Sequence, residues 1–319
     1  MLRPSRRTLL AAALLPWPAV SQAPWPRHPL RLVVPYPPGG NSDLLGRLVA
    51  GSLSTRLGQS VVVDNKAGAG GTTGAAEVAR PEADGHTLLL GDIATHAIAP
   101  ALNPSVAYDP LRDFEPVARL TSVPLLLVVP AASPHRTLAD LLAAGRGRGG
   151  LTYASAGIGT PQHLAFARLA AMAGLQAEHV PYRGSAPAVT DLTAGRVDAM
   201  IDGTVVPQVR DWSLRALAVT GERRATQLPD VPTIAEAGVP GYGFASWHGV
   251  FAPARTPEAV VAQLNAEVNR ALAEPAIRDR LLSLGIEPRA GTPAAFRAHV
   301  TEQAAAMREL VHATGAKAE

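Results

Sequence analysis

Short β-branched runs alternate along this chain with longer stretches whose apolar residues recur at helical spacing. Leu30-Arg31-Leu32-Val33-Val34 has the form of a buried strand, and Leu44, Leu45, Leu48, Val49, Leu53 and Leu57 then fall on one face of a helix. Val61-Val62-Val63-Asp64-Asn65 predicts a strand covered on both faces. The Ala-rich segment 75–80 predicts a helix, Asp84-Gly85 a turn and residues 87–90 a third strand. Strand alternating with helix implies a parallel sheet with right-handed crossovers, so residues 24 to about 123 are expected to form a first α/β unit. A longer strand over 122–130 opens a second unit. It continues through a helix over 138–144, a strand over 151–155, a helix opened by Pro161, and strands near 178–182, 197–202 and 214–219. Residues 245–251 predict a further strand, and helices are expected over 257–272, 275–284 and 293 to about 312. Three helices and one strand cannot build a third sheet, so they are expected to pack back onto the first unit. The resulting division is 24–123 plus 227–319 as domain I and 124–226 as domain II, joined by two crossing strands.

Composition supports this globular picture, with 319 residues, 47% hydrophobic and 17% charged. The N-terminus changes the charge argument. Arg3, Arg6 and Arg7 precede a short apolar run, and Ser21-Gln22-Ala23 offers small residues where a signal peptidase cleaves, so residues 1–23 are expected to be an export signal. Ser5-Arg6-Arg7-Thr8-Leu9-Leu10 also resembles a twin-arginine signal, with the general secretory route left open. The chain has 29 Lys+Arg and 26 Asp+Glu, and the leader takes three Arg and no acid, leaving 26 against 26. The basic pI therefore gives no case for nucleic acid. Zero Cys excludes disulfides, thiolate metal sites and cysteine nucleophiles.

Candidate chemistry sits in two loops of one design. Tyr36-Pro37-Pro38-Gly39-Gly40-Asn41-Ser42-Asp43 joins a strand to a helix start, which gathers free backbone N–H groups and the positive end of a helix dipole. Ser155-Ala156-Gly157-Ile158-Gly159-Thr160 repeats the plan, with hydroxyls at Ser155 and Thr160 and with Gly157 and Gly159 allowing close backbone approach. Ligands of open α/β sheets bind beyond the carboxyl ends of the strands, so one such loop per domain defines an anion cleft between domains.

An ordered series of motifs also resembles a known family. It includes Tyr-Pro-Pro-Gly-Gly-x-x-Asp at 36–43, Asn65-x-x-Gly-Ala-Gly-Gly, Asp84-Gly85-x-Thr-Leu-Leu, Thr95-His96-Ala97 and Ser155-Ala-Gly-x-Gly-Thr-x-x-His-Leu. His179-Val-Pro-Tyr-Arg-Gly-x-Ala-Pro-Ala, Leu228-Pro-Asp-Val-Pro-Thr-x-x-Glu-Ala-Gly and Trp247-x-Gly-x-Phe-Ala-Pro follow. Together they resemble the extracytoplasmic substrate-binding proteins of tripartite tricarboxylate transporters, often called Bug proteins, over essentially the whole mature chain. The resemblance implies an α/β, two-domain periplasmic binding protein of type II-like form with its ligand cleft between domains. It implies capture of a small organic acid (a di- or tricarboxylate, an acidic amino acid or an aromatic acid) for membrane transporter subunits, in the periplasm, without catalysis. Carried onto this sequence, the gripping loops are 36–43 and 155–160, while Thr95, His96 and Asp202 resemble positions at the cleft rim. Asn41 and Ser42 occupy places where Gly or Thr is common in the family.

Individual residues carry different weight. Asp43 is expected chiefly to support the helix start and the loop, with direct contact to a ligand hydroxyl or ammonium as its other role. His163 either packs or caps, or contacts ligand, and Asp202 either bonds the far end of a ligand or caps the next segment. Tyr36 and Gly40 belong to the first loop's ligand-binding set. Trp247 is expected chiefly to pack at the hinge, with lining of the cleft as its other role. No cofactor, metal or nucleic acid is expected, and the chain is expected to be monomeric. The rival enzyme reading, a dinucleotide fingerprint at Gly68-Ala69-Gly70 with Asp92 at the next strand's end, fails at Thr73, where a third Gly is required. No Gly-x-Ser-x-Gly elbow is present, and the nine His lack zinc-enzyme spacing. A ligand sensor for a signalling partner would need the same closure as a transport receptor.

Overall fold

The computed structural model describes residues 25–80 and 82–314, so the expected export signal lies outside the described residues. Two sheets carry the chain. In the first, β1 (Leu30–Val34) lies between β2 (Val61–Asn65) and β3 (Thr87–Asp92), parallel to both. Beyond β3 come β10 (Ala245–Pro253), β4 (Phe114–Pro124) and a two-residue β11 (Glu287–Pro288), joined antiparallel. In the second, β6 (Leu151–Ser155) pairs in parallel with β7 (Ala177–Pro181) and β8 (Ala199–Asp202). There β5 (Leu126–Pro130) runs antiparallel between β8 and β9 (Leu214–Val219).

Helices follow from the apolar spacing. On α1 (Asn41–Leu57), Leu45, Val49 and Leu53 are buried, packed with β1, β3 and the buried residues Val261, Leu264 and Val268 of α8 (Glu258–Ala273). A short 3₁₀ turn, 69–71, leads into α2 (Thr72–Val78), two to three residues earlier than the sequence pattern predicts. Residues 94–98 form a π turn continuing into α3 (Ala99–Leu102), and neither was predicted. The second unit adds α4 (Leu138–Arg146), α5 (Pro161–Ala173), α6 (Ser185–Thr193) and α7 (Val206–Arg210). The chain closes with α9 (Pro275–Ser283) and α10 (Pro293–Thr314).

Two differences from expectation have physical causes. The strand expected over 122–130 is the end of β4 and the whole of β5, which belong to different sheets. The break falls at Pro124, which has no N–H to give, and Leu125, whose N–H donates to Thr220 Oγ1 at 2.8 Å. β4 itself begins eight residues earlier, at Phe114, with Pro116 accommodated where the register against β10 shifts. The C-terminal helices also do more than cover the first unit. α8 packs on α1 and β4, but α10 contacts both β4 and α5 of the second unit. One apolar cluster consequently runs from Trp247, Phe251 and Phe296 to Leu164, Phe166 and Leu169, spanning both sheets.

The chain crosses between sheets at Pro124-Leu125 and through 220–244. Thr220 ties these passages together: its N–H donates to Leu125 O at 2.9 Å, and its O accepts from Phe244 N at 2.8 Å. Trp247, beside this junction, is fully buried and meets Phe296 edge to face at 5.8 Å.

Candidate functional site

The first loop is held from beneath by side chains. Asn65, at the end of β2, donates its amide to Tyr36 O and to Asp43 Oδ1, both at 3.0 Å. Asp43 Oδ2 accepts from Gly39 N at 2.9 Å and from Arg47 Nε at 3.0 Å. The Arg47 hydrogen bond, then that from Gly39, holds the Asp43 carboxyl down to about 2. Buried and fully engaged, Asp43 serves the loop. The helix start above it is open: Gly40 is the N-cap of α1, no side chain caps it, and Gly39, Gly40 and Asn41 are exposed. The first N–H groups of α1 have no intrahelical partner, which is the ordinary condition for an anion site at a helix N-terminus.

Beneath this loop, Tyr36 Oη donates to Asp92 Oδ2 at 2.5 Å. Thr95 and His96 are not at a rim here: both are fully buried. The π turn folds Thr95 back, so its N–H meets Asp92 Oδ1 and its Oγ1 accepts from Asp92 N, each at 2.9 Å. His96 turns into the sheet and stacks on Phe251 at 3.8 Å, over Gly91, where a Cβ would lie 2.5 Å from the ring. Burial drives its pKa to about 3, so it is neutral. These two residues form the floor that carries Asp92 and Tyr36.

Sequence reasoning missed His248. Coming from β10 opposite Asp92, it places Nε2 3.2 Å from Ser42 Oγ and Nδ1 3.0 Å from Thr121 Oγ1. Burial lowers its pKa, opposed by Asp92, and one ring nitrogen is left to accept and the other to donate. Strand alternation was the available signal: Trp247 faces the core, so His248 faces the other way.

The second loop is built around two histidines. Ser155, fully buried, places Oγ 2.7 Å from His179 Nε2 and accepts from Gly157 N at 3.1 Å. Thr160, the N-cap of α5, donates Oγ1–H to Gly157 O at 2.8 Å. Gly159 N donates to His163 Nδ1 at 3.0 Å, which fixes the proton of that ring on Nε2. The His163 and His179 rings stack at 4.0 Å and 6°. Tyr153 lies against both His179 and Phe166. Burial lowers both histidine pKa values, His179 to about 4, so the column is neutral. Gly159 has φ +73°, and a Cβ there would lie 2.3 Å from Leu102 Cδ1. The second unit's loop thus rests directly on α3 of the first.

Asp202, at the end of β8, is fully buried and accepts from four donors. These are Ser185 Oγ at 2.5 Å, Thr204 N and Oγ1 at 2.6 Å, and Gln162 Nε2 at 3.2 Å. It caps the following segment and fixes two polar side chains at the starts of α5 and α6. Gly184, the N-cap of α6, donates its N–H to Ala156 O at 3.1 Å, which binds that helix start to the second loop. Gln162 and Ser185 were not singled out from the sequence, because their importance comes from sharing Asp202.

The arrangement leaves the backbone N–H groups at the start of α1 open while its acids and most of its hydroxyls are consumed internally, which favours an anion. One trio, His28 near the start of the described chain with Asp84 and His86 beside β3, brings metal-ligand atoms within 4.8 Å of one another. The two rings stack at 3.8 Å, so their in-plane lone pairs run side by side, and His86 Nε2 already accepts from Arg27 N. Among the described residues, no helix is long and apolar enough to cross a membrane.

Comparison with known proteins agrees with this architecture. Residues 45–316 match the model of the tripartite tricarboxylate transporter family receptor, TctC. Protein BugT of Bordetella pertussis is 37% identical over 302 residues, 93% of each chain. Among solved structures, R. palustris Rpa4515 with adipate superimposes with a TM-score of 0.78 at 38% identity, over 92% of this chain and 99% of that one. MatC from Rhodopseudomonas palustris with bound malate gives 0.74 at 36% identity, over 90% and 100%. Both neighbours share the two-sheet, two-domain plan, and with the family match over most of its length, this chain belongs to the tripartite tricarboxylate transporter receptor family of solute-binding proteins.

Proposed function

We propose that this protein captures a small organic carboxylate between its two strand-to-helix loops and hands it to membrane transporter subunits, without a catalytic step. The observation that carries this is the open, glycine-capped start of α1, whose neighbouring acid Asp43 is tied up by Gly39, Arg47 and Asn65. The adipate and malate of the two structural relatives are ligands of the chemistry such a donor set takes. In this reading Tyr36, Gly40, Asn41 and Ser42 form one jaw. Gly157, Gly159, Thr160 and His163, joined by Gln162 and Ser185, form the other. Asp43, Thr95, His96, Ser155 and Asp202 act through them as positioning residues. The jaws belong to domains 24–123 plus 227–319 and 124–226, which close by bending at Leu125 and Thr220. The protein works as a periplasmic monomer after loss of residues 1–23.

Neutral donors suit a carrier, because a buried counter-charge would hold the ligand too tightly for release. Each hydrogen bond to a charged group contributes about 1.5–3 kcal/mol, so two or three support roughly micromolar capture after the costs of association. The test is a thermal-shift screen of carboxylates, amines and sugars, followed by calorimetry on Gly40→Val. Gly40 has ordinary extended backbone, and a Cβ there meets nothing within 4 Å, so the substitution adds bulk at the helix start without strain. Carboxylates are expected to raise Tm, and Gly40→Val, a poorer N-cap by about 1 kcal/mol, is expected to lose that response while still folding cooperatively. Stabilisation by sugars or amines alone, or full carboxylate affinity in Gly40→Val, would overturn the reading.

A further inference from the structure

A second concentration of positive charge lies apart from both loops. A cavity of 320 Å³ opens between β4, α5, α10 and the connecting stretches near 221–223 and 243–245. Arg119, Arg168, Arg223 and Arg289 line it, and Glu222 and Glu302 are the acids of the lining. Arg289 is engaged by Glu287 at 2.7 Å. Arg119 has no ion-pair partner among the described residues, and its Nε makes only a long bond of 3.4 Å to Thr121 O. A half-buried guanidinium with no carboxylate in contact is costly, because distant attraction only partly offsets its desolvation. Burial, with Arg289 adding to it and only Glu222 opposing, pulls Arg119 down to about 10, the direction of a cation whose desolvation outweighs its counter-charge.

The same wall holds an unused polar atom. His299 Nε2 is buried with no hydrogen-bond partner, while its ring packs edge to face on Trp247 at 5.5 Å. Burial and the nearby Arg119 hold that imidazole neutral, with its pKa at about 4. A neutral imidazole with its proton on Nε2 donates a hydrogen bond at no charge cost. Native proteins seldom leave buried polar atoms unpaired, so an orphan nitrogen beside an orphan guanidinium points to an absent partner. Guanidinium groups lining one cavity suit the oxygens of a planar or tetrahedral anion.

We propose that this cavity is a second anion site, which takes a small, multiply charged oxyanion of the phosphate or carboxylate type on Arg119, Arg168, Arg289 and His299. Arg168 comes from α5 of the second unit, Arg119 from β4 and His299 from α10, so the bound ion bridges the two units beside the chain crossings. None of its lining residues belongs to loops 36–43 or 155–160.

The test uses the mature protein titrated with inorganic phosphate, citrate or sodium chloride at matched ionic strength, read by melting temperature and calorimetry. Phosphate or citrate is expected to stabilise the protein beyond chloride, and the two titrations tell an inorganic ion from an organic acid. Arg119→Met is expected to weaken that binding at least tenfold and to melt above the parent in anion-free buffer, since an unpaired buried charge is gone. His299→Gln, which keeps a donor without the ring, is expected to weaken it several-fold. Gly40→Val is expected to retain it. Equal response to chloride, or an unchanged titration in both Arg119→Met and His299→Gln, would overturn the proposal. Loss in Gly40→Val with retention in Arg119→Met would move the ion to the cleft and overturn it as well. A failure of carboxylates to bind the cleft leaves the Arg119 comparison intact.

Discussion

Gly159→Ala separates closure of the two domains from stability of the fold. Two costs meet at this position. The first is conformational: φ is +73°, and a side chain in left-handed backbone costs about 1–2 kcal/mol. That strain is present whether the domains are open or closed, so it lowers Tm and leaves affinity alone. The second is steric: the new methyl would lie 2.3 Å from Leu102 Cδ1, across the contact between the second loop and α3. Overpacking of this kind costs about 1–3 kcal/mol, and it acts only when the jaws are together. Affinity for a carboxylate that stabilises the parent protein should therefore fall roughly 5- to 150-fold. Adding Leu102→Ala removes the steric part and not the strain. Calorimetry on the parent, both single variants and the double variant should show affinity restored in the double variant while Tm stays low. Unchanged affinity in Gly159→Ala, or a loss that Leu102→Ala does not relieve, would refute the idea that this contact forms on closure.

Other substitutions test the supports. Asp202→Ala should cost about 3 kcal/mol in urea unfolding, because four donors lose a buried charged acceptor; a cost below 1 kcal/mol would mean that solvent replaces it. Acid should destabilise the protein through its buried histidines. His96, His163, His179, His248 and His299 all have folded pKa values below the ordinary 6.5, so the unfolded chain binds more protons as pH falls below that value. Stability present above about pH 6.5 should be lost progressively toward pH 4, and His179→Gln should flatten that slope; an equally steep Tm curve in the variant would count against the stacked column. Asp43, with a folded pKa of about 2, contributes stability that is complete above its ordinary value near 4 and lost between pH 4 and 2. Asp43→Asn should shrink the acid response in that lower window without abolishing it, since His96 titrates there too, as measured by circular dichroism.

What the chain discloses before folding follows the range of the interactions concerned. Strand-to-helix loops at 36–43 and 155–160 are local events, so Gly, Pro and apolar spacing were enough to locate them. The break at Pro124-Leu125 was illegible because it depends on Thr220, almost a hundred residues away, taking the Leu125 N–H. The same limit explains the site. Thr95 and His96 sit in a motif beside the first loop, which suggests contact with a ligand, yet the π turn buries both and spends them on Asp92 and Phe251. His248, Gln162 and Ser185 gain their places from Ser42 and Asp202, partners that spacing along the chain does not disclose. Asp43 shows why these two groups belong to one design. A free carboxylate at the mouth of an anion site would repel the ligand, and removing it would release Gly39 and Asn65 and loosen the loop. Binding that carboxylate to Gly39, Arg47 and Asn65 keeps the loop rigid and quiets the charge, and Asp92 and Asp202 are treated alike. Asp43, Asp92 and Asp202 therefore act inward on the scaffold, and the groups left open are the backbone donors at the start of α1.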